Sequence, residues 1–404
     1  MSDAKAVQVT AAQAAAFRLA RQHLAGVRPA HAFAPPPAGA RSRSAKGAAD
    51  NPGAKVSGER SVVDVVRDSG GIQAQVQSAA ELSIWTRRRE TTRADIRRAL
   101  WDTREIVKTS ALRMTLHLIP ARDLAVYVAA TRPSARAKLA LWQRRLKITS
   151  EDVRRLIDTL LDSLGDGALT QQELVAQAKQ RAHKGMRAWL EHAWIPVRPA
   201  VIEGAIVYGP PRGAEATFVR ADRWLGPQAV VAVDAARAEL LKRFLRAFGP
   251  ATAHDFAKWS GIKVTEARTM VDALAHELTE VSVGGASGWI ASDDVETLRR
   301  SALDSGAVRL LGPFDSLLLA HAAKEHLVDA AFYKRVYRPQ GWISAVVLRG
   351  TTIVGTWTQK NEGRTIALDI DLFGRPSAAI RRALEEEAEA ISAFLGKRCI
   401  PRFS

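Results

Sequence analysis

A single cysteine, Cys399, occurs in 404 residues. One thiol excludes an intramolecular disulfide and any cysteine-cage metal site. The nine histidines show no ligand-like pairing on a helix, so no metal site is expected. No long apolar run is present, which argues against a membrane-spanning helix. The stretch from Met1 to Gln13 contains Asp3 and no signal-peptide core. A soluble protein in a reducing cytosol is the expectation. Acidic residues are also scarce: 42 Asp and Glu stand against 59 Lys and Arg, a formal net charge of +17. A surplus of that size makes a polyanion, nucleic acid first, the partner to expect.

In bulk the rest is ordinary, with 47% hydrophobic and 25% charged residues. One stretch is not. In Gly70-Gly71-Ile72-Gln73-Ala74-Gln75-Val76-Gln77 a glycine pair breaks one helix, and the next segment opens with glutamines at every second position. Ala80, Ile84 and Trp85 then take the spacing of a buried helix face. Glutamines at a helix entrance, beside glycines that permit close approach, make a polar site on a rigid support. Such a site does chemistry or only packs.

The chain divides into six segments around it. Residues 1–34 carry an Ala-rich N-terminal helix, and residues 35–61 turn to Pro, Gly, Ala, Ser and Arg without apolar periodicity, a flexible basic insertion. In 62–148 a short valine-rich helix ends at the glycine pair, the glutamine helix and a helix over 92–101 follow, and 112–118 reads as a strand. Helix, turn, helix, helix and strands is the order of a winged helix-turn-helix module. Residues 149–232 repeat it, with a capped helix over 151–164, a second helix opened by Thr170, and a wing hairpin turning at Gly209-Pro210-Pro211-Arg212-Gly213. Residues 233–304 repeat it again, with helices over 233–248, 254–259 and 263–278 and a short hairpin. Residues 305–404 hold strands over 342–348, 352–357 and 365–370 and a closing helix over 378–395. The fold class is α+β and mainly helical: three tandem winged helix-turn-helix modules plus a C-terminal β-rich domain.

These pieces in this order resemble the AlkZ/YcaQ-type family of tandem winged-helix DNA glycosylases, from Val62 to the C-terminus. Gly71-Ile72-Gln73-Ala74-Gln75, Arg113-Met114-Thr115-Leu116-His117 and Thr217-Phe218-Val219-Arg220 carry the resemblance. So do Asp255-Phe256-Ala257-Lys258-Trp259-Ser260-Gly261, Leu311-Gly312-Pro313-Phe314-Asp315 and Ile353-Val354-Gly355-Thr356-Trp357. The resemblance implies a basic concave surface, removal of alkylated bases including those tied into interstrand crosslinks, and no metal or cofactor. It implies a bacterial cytoplasmic protein working at the nucleoid. The family's motif of glutamine, hydrophobic residue, then glutamine or aspartate falls on Gln73-Ala74-Gln75, which makes Gln73 and Gln75 the catalytic candidates and Gln77 a bystander. Where the family has glycine after the arginine of the strand motif, this chain has Met114.

A glutamine amide is too weakly basic to take a proton from water at neutral pH. It can hold a water, hydrogen-bond a sugar and donate its NH2. That suffices when the leaving base is already cationic, as an N7- or N3-alkylated purine is. The candidates for DNA binding are Arg87 and Arg88 near the motif, Arg113, Thr115 and His117 in the strand motif, Lys263 and Arg268 on the third module, and Lys360 at a hairpin tip. Each has an ordinary counterpart: a solvated charged face, a core histidine, an exposed turn. Asp315 lines a cleft or caps a turn. No lysine beside the motif offers a Schiff base, so a monofunctional glycosylase is expected. A non-catalytic winged-helix DNA-binding protein or transcriptional regulator is the alternative. Regulators read palindromes with two-fold symmetry, whereas three unlike modules suit a monomer on double-stranded DNA carrying alkylated bases or crosslinks.

Overall fold

A computed structural model of the chain describes residues 6–25, 60–192, 196–303 and 306–404. The insertion expected over 35–61 lies outside the described residues except for Arg60 and Ser61.

Helix starts follow one local device. Ser61, Thr92, Thr149, Thr170 and Thr252 each accept the backbone N–H of an acidic residue three positions on, whose carboxylate returns the bond to the cap. These reciprocal bonds satisfy donors that a helix start leaves open.

Three segments then share one order: helix, short strand or bridge, two helices, antiparallel hairpin. In the first, Val62–Asp68 is followed by Ile72–Gln73, Gln77–Arg87, Arg93–Arg97 and the hairpin Ile106–Ser110 with Leu116–Pro120. The second runs Ser150–Leu164, Leu169–Thr170, Gln171–Arg181, Lys184–His192 and Ile206–Arg212 with Glu215–Arg220, adding the short helix Arg198–Ile202 before its hairpin. The third runs Val233–Phe248, a bridge from Ala251 to Trp289, Ala253–Ser260, Val264–Ala273 and Leu278–Val283 with Ala286–Ala291. Its sheet gains a further strand from the start of the chain: Val7–Val9 pairs parallel with Val281 to Val283. Phe17 of the helix Ala11–Arg21 packs with Val281 and Ile290, so the N-terminal helix is built into the third segment. Past these, Val308–Leu311, Ala345–Arg349, Thr352–Glu362, Thr365–Leu372 and Arg398–Phe403 form one five-stranded sheet in chain order, covered by the helix Ala378–Leu395. The chain is thus α+β and mainly helical.

Three expectations are corrected. The strand over 112–118 starts only at Leu116, because Leu112–Met114 is a single tight turn with Arg113 and Met114 in the left-handed region (φ 56° and 62°). The helix over 263–278 ends at Ala273, and Leu278 already belongs to a strand. The glutamine segment does not open a helix at Gln73: Ile72–Gln73 is a strand and the helix begins at Gln77.

The first segment is enclosed on several sides. Its Val107, Leu112 and Ile119 share a core with Phe244, Phe248, Phe256 and Trp259 of the third. On the other side Leu82 and Trp85 pack against Leu310, Leu368 and Leu384 of the C-terminal sheet and its covering helix. The 23-residue helix Leu124–Leu146 joins two cores, giving Leu124 to Ala130 to the first and Ala135 and Leu139 to that of the second segment.

A fully buried ion pair fixes the C-terminal contact. Arg87 reaches both carboxylate oxygens of Asp315 at 2.7 Å and also donates to Ser83 and to Gln22 Oε1. Burial opposes ionisation of Asp315, yet the Arg87 charge and hydrogen bonds from Arg87, Leu317 and Ser83 hold its pKa below the usual carboxylate value. Removing one partner strands the other in the interior. Asp315→Asn is expected to lower stability by about 3–5 kcal/mol in urea unfolding. Because the folded value is depressed, the pair stabilises above the ordinary carboxylate range, and this is lost as pH falls through the folded value. The gap between wild type and Asp315→Asn should therefore narrow on acidification.

Candidate active site

The motif is placed by the end of the helix Val62–Asp68. Gly71 N–H bonds Val66 O and Gly70 N–H bonds Arg67 O, which closes the helix in a Schellman motif that needs left-handed backbone at Gly70 (φ 65°). A Cβ on Gly70 would stand 3.0 Å from the Trp259 ring, so glycine also lets the third segment press against this turn. The chain leaves as the strand Ile72–Gln73, paired antiparallel with Leu118 and His117, and Ala74 N–H bonds Leu116 O at 2.7 Å. Gln73 is buried (8% exposed), Ala74 fully buried and Gln75 exposed. From the far side, Ser316 donates its hydroxyl to Gly71 O at 3.2 Å, tying the motif to the loop that carries Asp315.

Arg113 converges on Gln73. Its Nη2 donates to Gln73 Oε1 at 3.1 Å, and its Nη1 donates to the Trp259 carbonyl at the end of a third-segment helix. Gly261 caps that helix in the left-handed region, and a Cβ there would lie 3.0 Å from Arg113 Cα, so the two turns touch backbone to backbone. Burial pushes the Arg113 pKa down to about 10, which leaves it charged at neutral pH. His117, across the ladder from Gln73, is buried; desolvation, then the Arg113 charge, push it down to about 3. Its Nδ1 faces the Thr115 carbonyl at 2.9 Å, which assigns the proton of the neutral ring to Nδ1.

The remaining sequence candidates separate into two groups. Arg87 is closed in its ion pair with Asp315 and offers nothing to a phosphate. Asp315 lines no cleft; it caps the short helix Ser316–Leu319 and neutralises Arg87. Arg88 is half-buried and holds the Arg60 carbonyl and Thr91. Arg113 holds Gln73 and Trp259, Thr115 donates to Leu112 O inside the turn, and His117 is uncharged. Lys263, Arg268 and Lys360 are exposed and face solvent. Lys263 opens the helix Val264–Ala273, and Lys360 lies near the end of the hairpin formed by Thr352–Glu362 and Thr365–Leu372.

The bystander glutamine, Gln77, holds a lysine that the sequence did not single out. Lys108 Nζ bonds Gln77 Oε1 at 3.0 Å, Gln77 reaches Glu81, and Arg93 pairs with Glu81 at 2.8 Å. Burial lowers the Lys108 pKa and the Glu81 charge opposes that. In the sheet Lys108 is in register with Leu118 and Ile72, one step from the row of Thr109, His117 and Gln73. Side chains alternate faces along a strand, so Lys108 and Gln73 project from opposite faces. Only knowledge of the strand register could reveal Lys108, since nothing in its neighbours marks it.

Among the described residues no group of three or more His, Cys, Asp or Glu could hold a metal ion, and no helix is long and apolar enough to cross a membrane.

Comparison with known proteins gives the family. The family described as DNA glycosylase AlkZ-like matches residues 66–394. The chain belongs to that family, and so to the DNA glycosylases. It is similar to the interstrand DNA cross-link repair glycosylase of Streptomyces sahachiroi, 30% identical over 349 residues that cover 84% of this chain and 92% of that protein. Its fold is similar to the solved structure of Streptomyces sahachiroi DNA glycosylase AlkZ, with a TM-score of 0.80 at 26% identity, covering 98% of this chain and all of that one.

A buried neutral His117 cannot act as a physiological acid. Its ring resonances should stay constant between pH 5 and 8 in NMR titration, and the base-release rate should show no step in that range arising from it; a titrating His117 near its ordinary value would contradict the burial described.

Proposed function

We propose that the protein is a monofunctional DNA glycosylase that hydrolyses the N-glycosidic bond of cationic alkylated purines, with Gln73 and Gln75 as the catalytic pair. One observation carries this reading: the motif holds a buried and an exposed amide and, among the described residues, no carboxylate hydrogen-bonds either of them. The neighbouring histidine is neutral and the neighbouring cation is a guanidinium, so neither protonates a leaving base at neutral pH. Ordinary glycosidases use two carboxylates for acid and base work. A site without them suits a base that needs no protonation. In an N7-alkylated guanine the C1′–N9 bond breaks with its electron pair passing into the positively charged ring. Water then forms the C1′–O bond and gives its proton to solvent, while the amides orient that water and hydrogen-bond the sugar.

We read the three repeated segments, 62–148, 149–232 and 233–304, as tandem winged helices, with 305–404 as the β-rich domain beside them. Lys263, Arg268 and Lys360 are the exposed cations assigned to phosphate. Lys108 does not make this a lyase: its ammonium is held by Gln77 on the sheet face opposite Gln73. The Streptomyces sahachiroi relative, named for cross-link repair, supports extending the substrate to crosslinks between strands. The protein acts as a monomer on the cytoplasmic chromosome.

Incubation with duplexes carrying N7-methylguanine, followed by alkali, should yield strand breaks at the lesion and none at normal guanine. Gln73→Ala and Gln75→Ala should each lower single-turnover base release by about 100-fold with DNA affinity kept. Equal release of normal and methylated guanine, or binding without any release, would return the protein to the class of non-catalytic DNA binders. Replacing Lys263, Arg268 or Lys360 by Ala should weaken binding to all sequences alike and reduce the slope of log K against log salt by roughly 1 each.

A further inference from the structure

We infer that Arg113 is the positioning residue of this site, and that it makes Gln73 a hydrogen-bond donor toward substrate while the water-accepting carbonyl is left to Gln75. The inference rests on the glycosylase reading above. An amide side chain can be turned either way, but a guanidinium has donors only. The contact of Arg113 Nη2 with Gln73, at 3.1 Å, therefore fixes Oε1 inward and turns the NH2 away from the arginine. The guanidinium itself is fixed, because its other nitrogen is bound to the Trp259 carbonyl and its backbone is pinned in a left-handed turn against Gly261. Gln73 is buried, so this single bond settles which group of the amide faces the reaction. An N–H donor aimed at substrate serves a sugar, phosphate or base acceptor; aimed at water it cannot accept the O–H bond that orients the attacking oxygen. Gln75, exposed and two residues on, has the carbonyl for that water. The pair is then two unlike groups rather than two copies of one.

The link also crosses segments. Arg113 belongs to the first and Trp259 to the third, so Gln73 is oriented only while those two are docked.

Carboxylate substitutions separate the roles. Gln73→Glu keeps the acceptor for Arg113, and can pair with its charge, but loses the NH2. Single-turnover release of N7-methylguanine should fall about 100-fold at every pH, as expected for one lost transition-state donor. Gln75→Glu instead places a carboxylate against the water, and its rate should rise as pH climbs through the carboxylate range. Arg113→Ala should lower kcat with little change in KM, guanidinium ion should restore part of it, and the Arg113→Ala, Gln73→Ala double variant should lose no more than Gln73→Ala alone. Arg113→Lys, which cannot span both acceptors in the same fork, should be partly active and folded by circular dichroism. In protein labelled with 15N-glutamine, the Gln73 NH2 signal, assigned by its loss in Gln73→Glu, should shift in Arg113→Lys whether or not the protein releases base. A Gln73→Glu enzyme as fast as wild type, additive losses in the double variant, or an unmoved Gln73 signal would overturn the inference. Wild-type protein that releases no base from any cationic lesion would instead overturn the glycosylase reading.

Discussion

The guanidinium of Arg87 lies fork to fork against the carboxylate of Asp315, both side chains fully enclosed. Two charges taken out of water are tolerated only when each satisfies the other, and losing one partner is far worse than losing both. This pair therefore ties the loop after the strand Val308–Leu311 to the helix Gln77–Arg87. Ser316, next to Asp315, then reaches Gly71 O, and Gly71 precedes the strand that carries Gln73. A charge pair made for packing thus sets where the motif lies. Exchange for an apolar pair of similar volume could keep the stability, but it would surrender the directional bonds that fix the loop.

The opposite face of the motif is fixed by a different kind of contact. There the third segment supplies a carbonyl and a close-packed aromatic cluster of Phe244, Phe248, Phe256 and Trp259. Apolar area holds the segments together without direction, and the bonds of Arg113 add the direction. Catalytic geometry tolerates only small errors in placement. The candidate site, between the first segment, the third and the loop that carries Asp315, is held by one ion pair and one arginine bridge.

Much of the fold is legible in the sequence for local reasons. Thr or Ser followed three positions on by Asp or Glu marks five helix starts, and glycine with a left-handed φ marks the end at Gly70. The helices Val233–Phe248 and Ala378–Leu395 follow from periodicity and punctuation alone. What is illegible depends on distant partners. The helix Leu124–Leu146 carries Pro133 inside it and packs its halves in two different cores, so no single apolar stripe runs along it. The strand Val7–Val9 exists because of residues 281–283. Arg87 begins a run of three arginines and reads as a solvated face, but its partner lies 228 residues on. The candidate glutamines are legible as a pattern; that one is a buried strand residue and the other exposed is not, because the pairing with His117 comes from a strand more than forty residues on.

Met114 joins these two levels. The tight turn Leu112–Met114 puts two consecutive non-glycine residues in the left-handed region, where an L-residue is disfavoured by about 1–2 kcal/mol. Thr115 N–H and Oγ1 both bond Leu112 O, and Ala111 N–H bonds Thr115 O, so local bonds hold the turn against that strain. A glycine at position 114 would relieve half of it, which accounts physically for glycine at this place in the motif that the sequence resembles. Here a methionine bears the strain and adds apolar contact with the core of the second segment. Arg113 has no such exchange open to it, because only its side chain spans from Trp259 O to Gln73 Oε1. The strained turn thus carries both the side chain that holds Gln73 and the close backbone contact with Gly261.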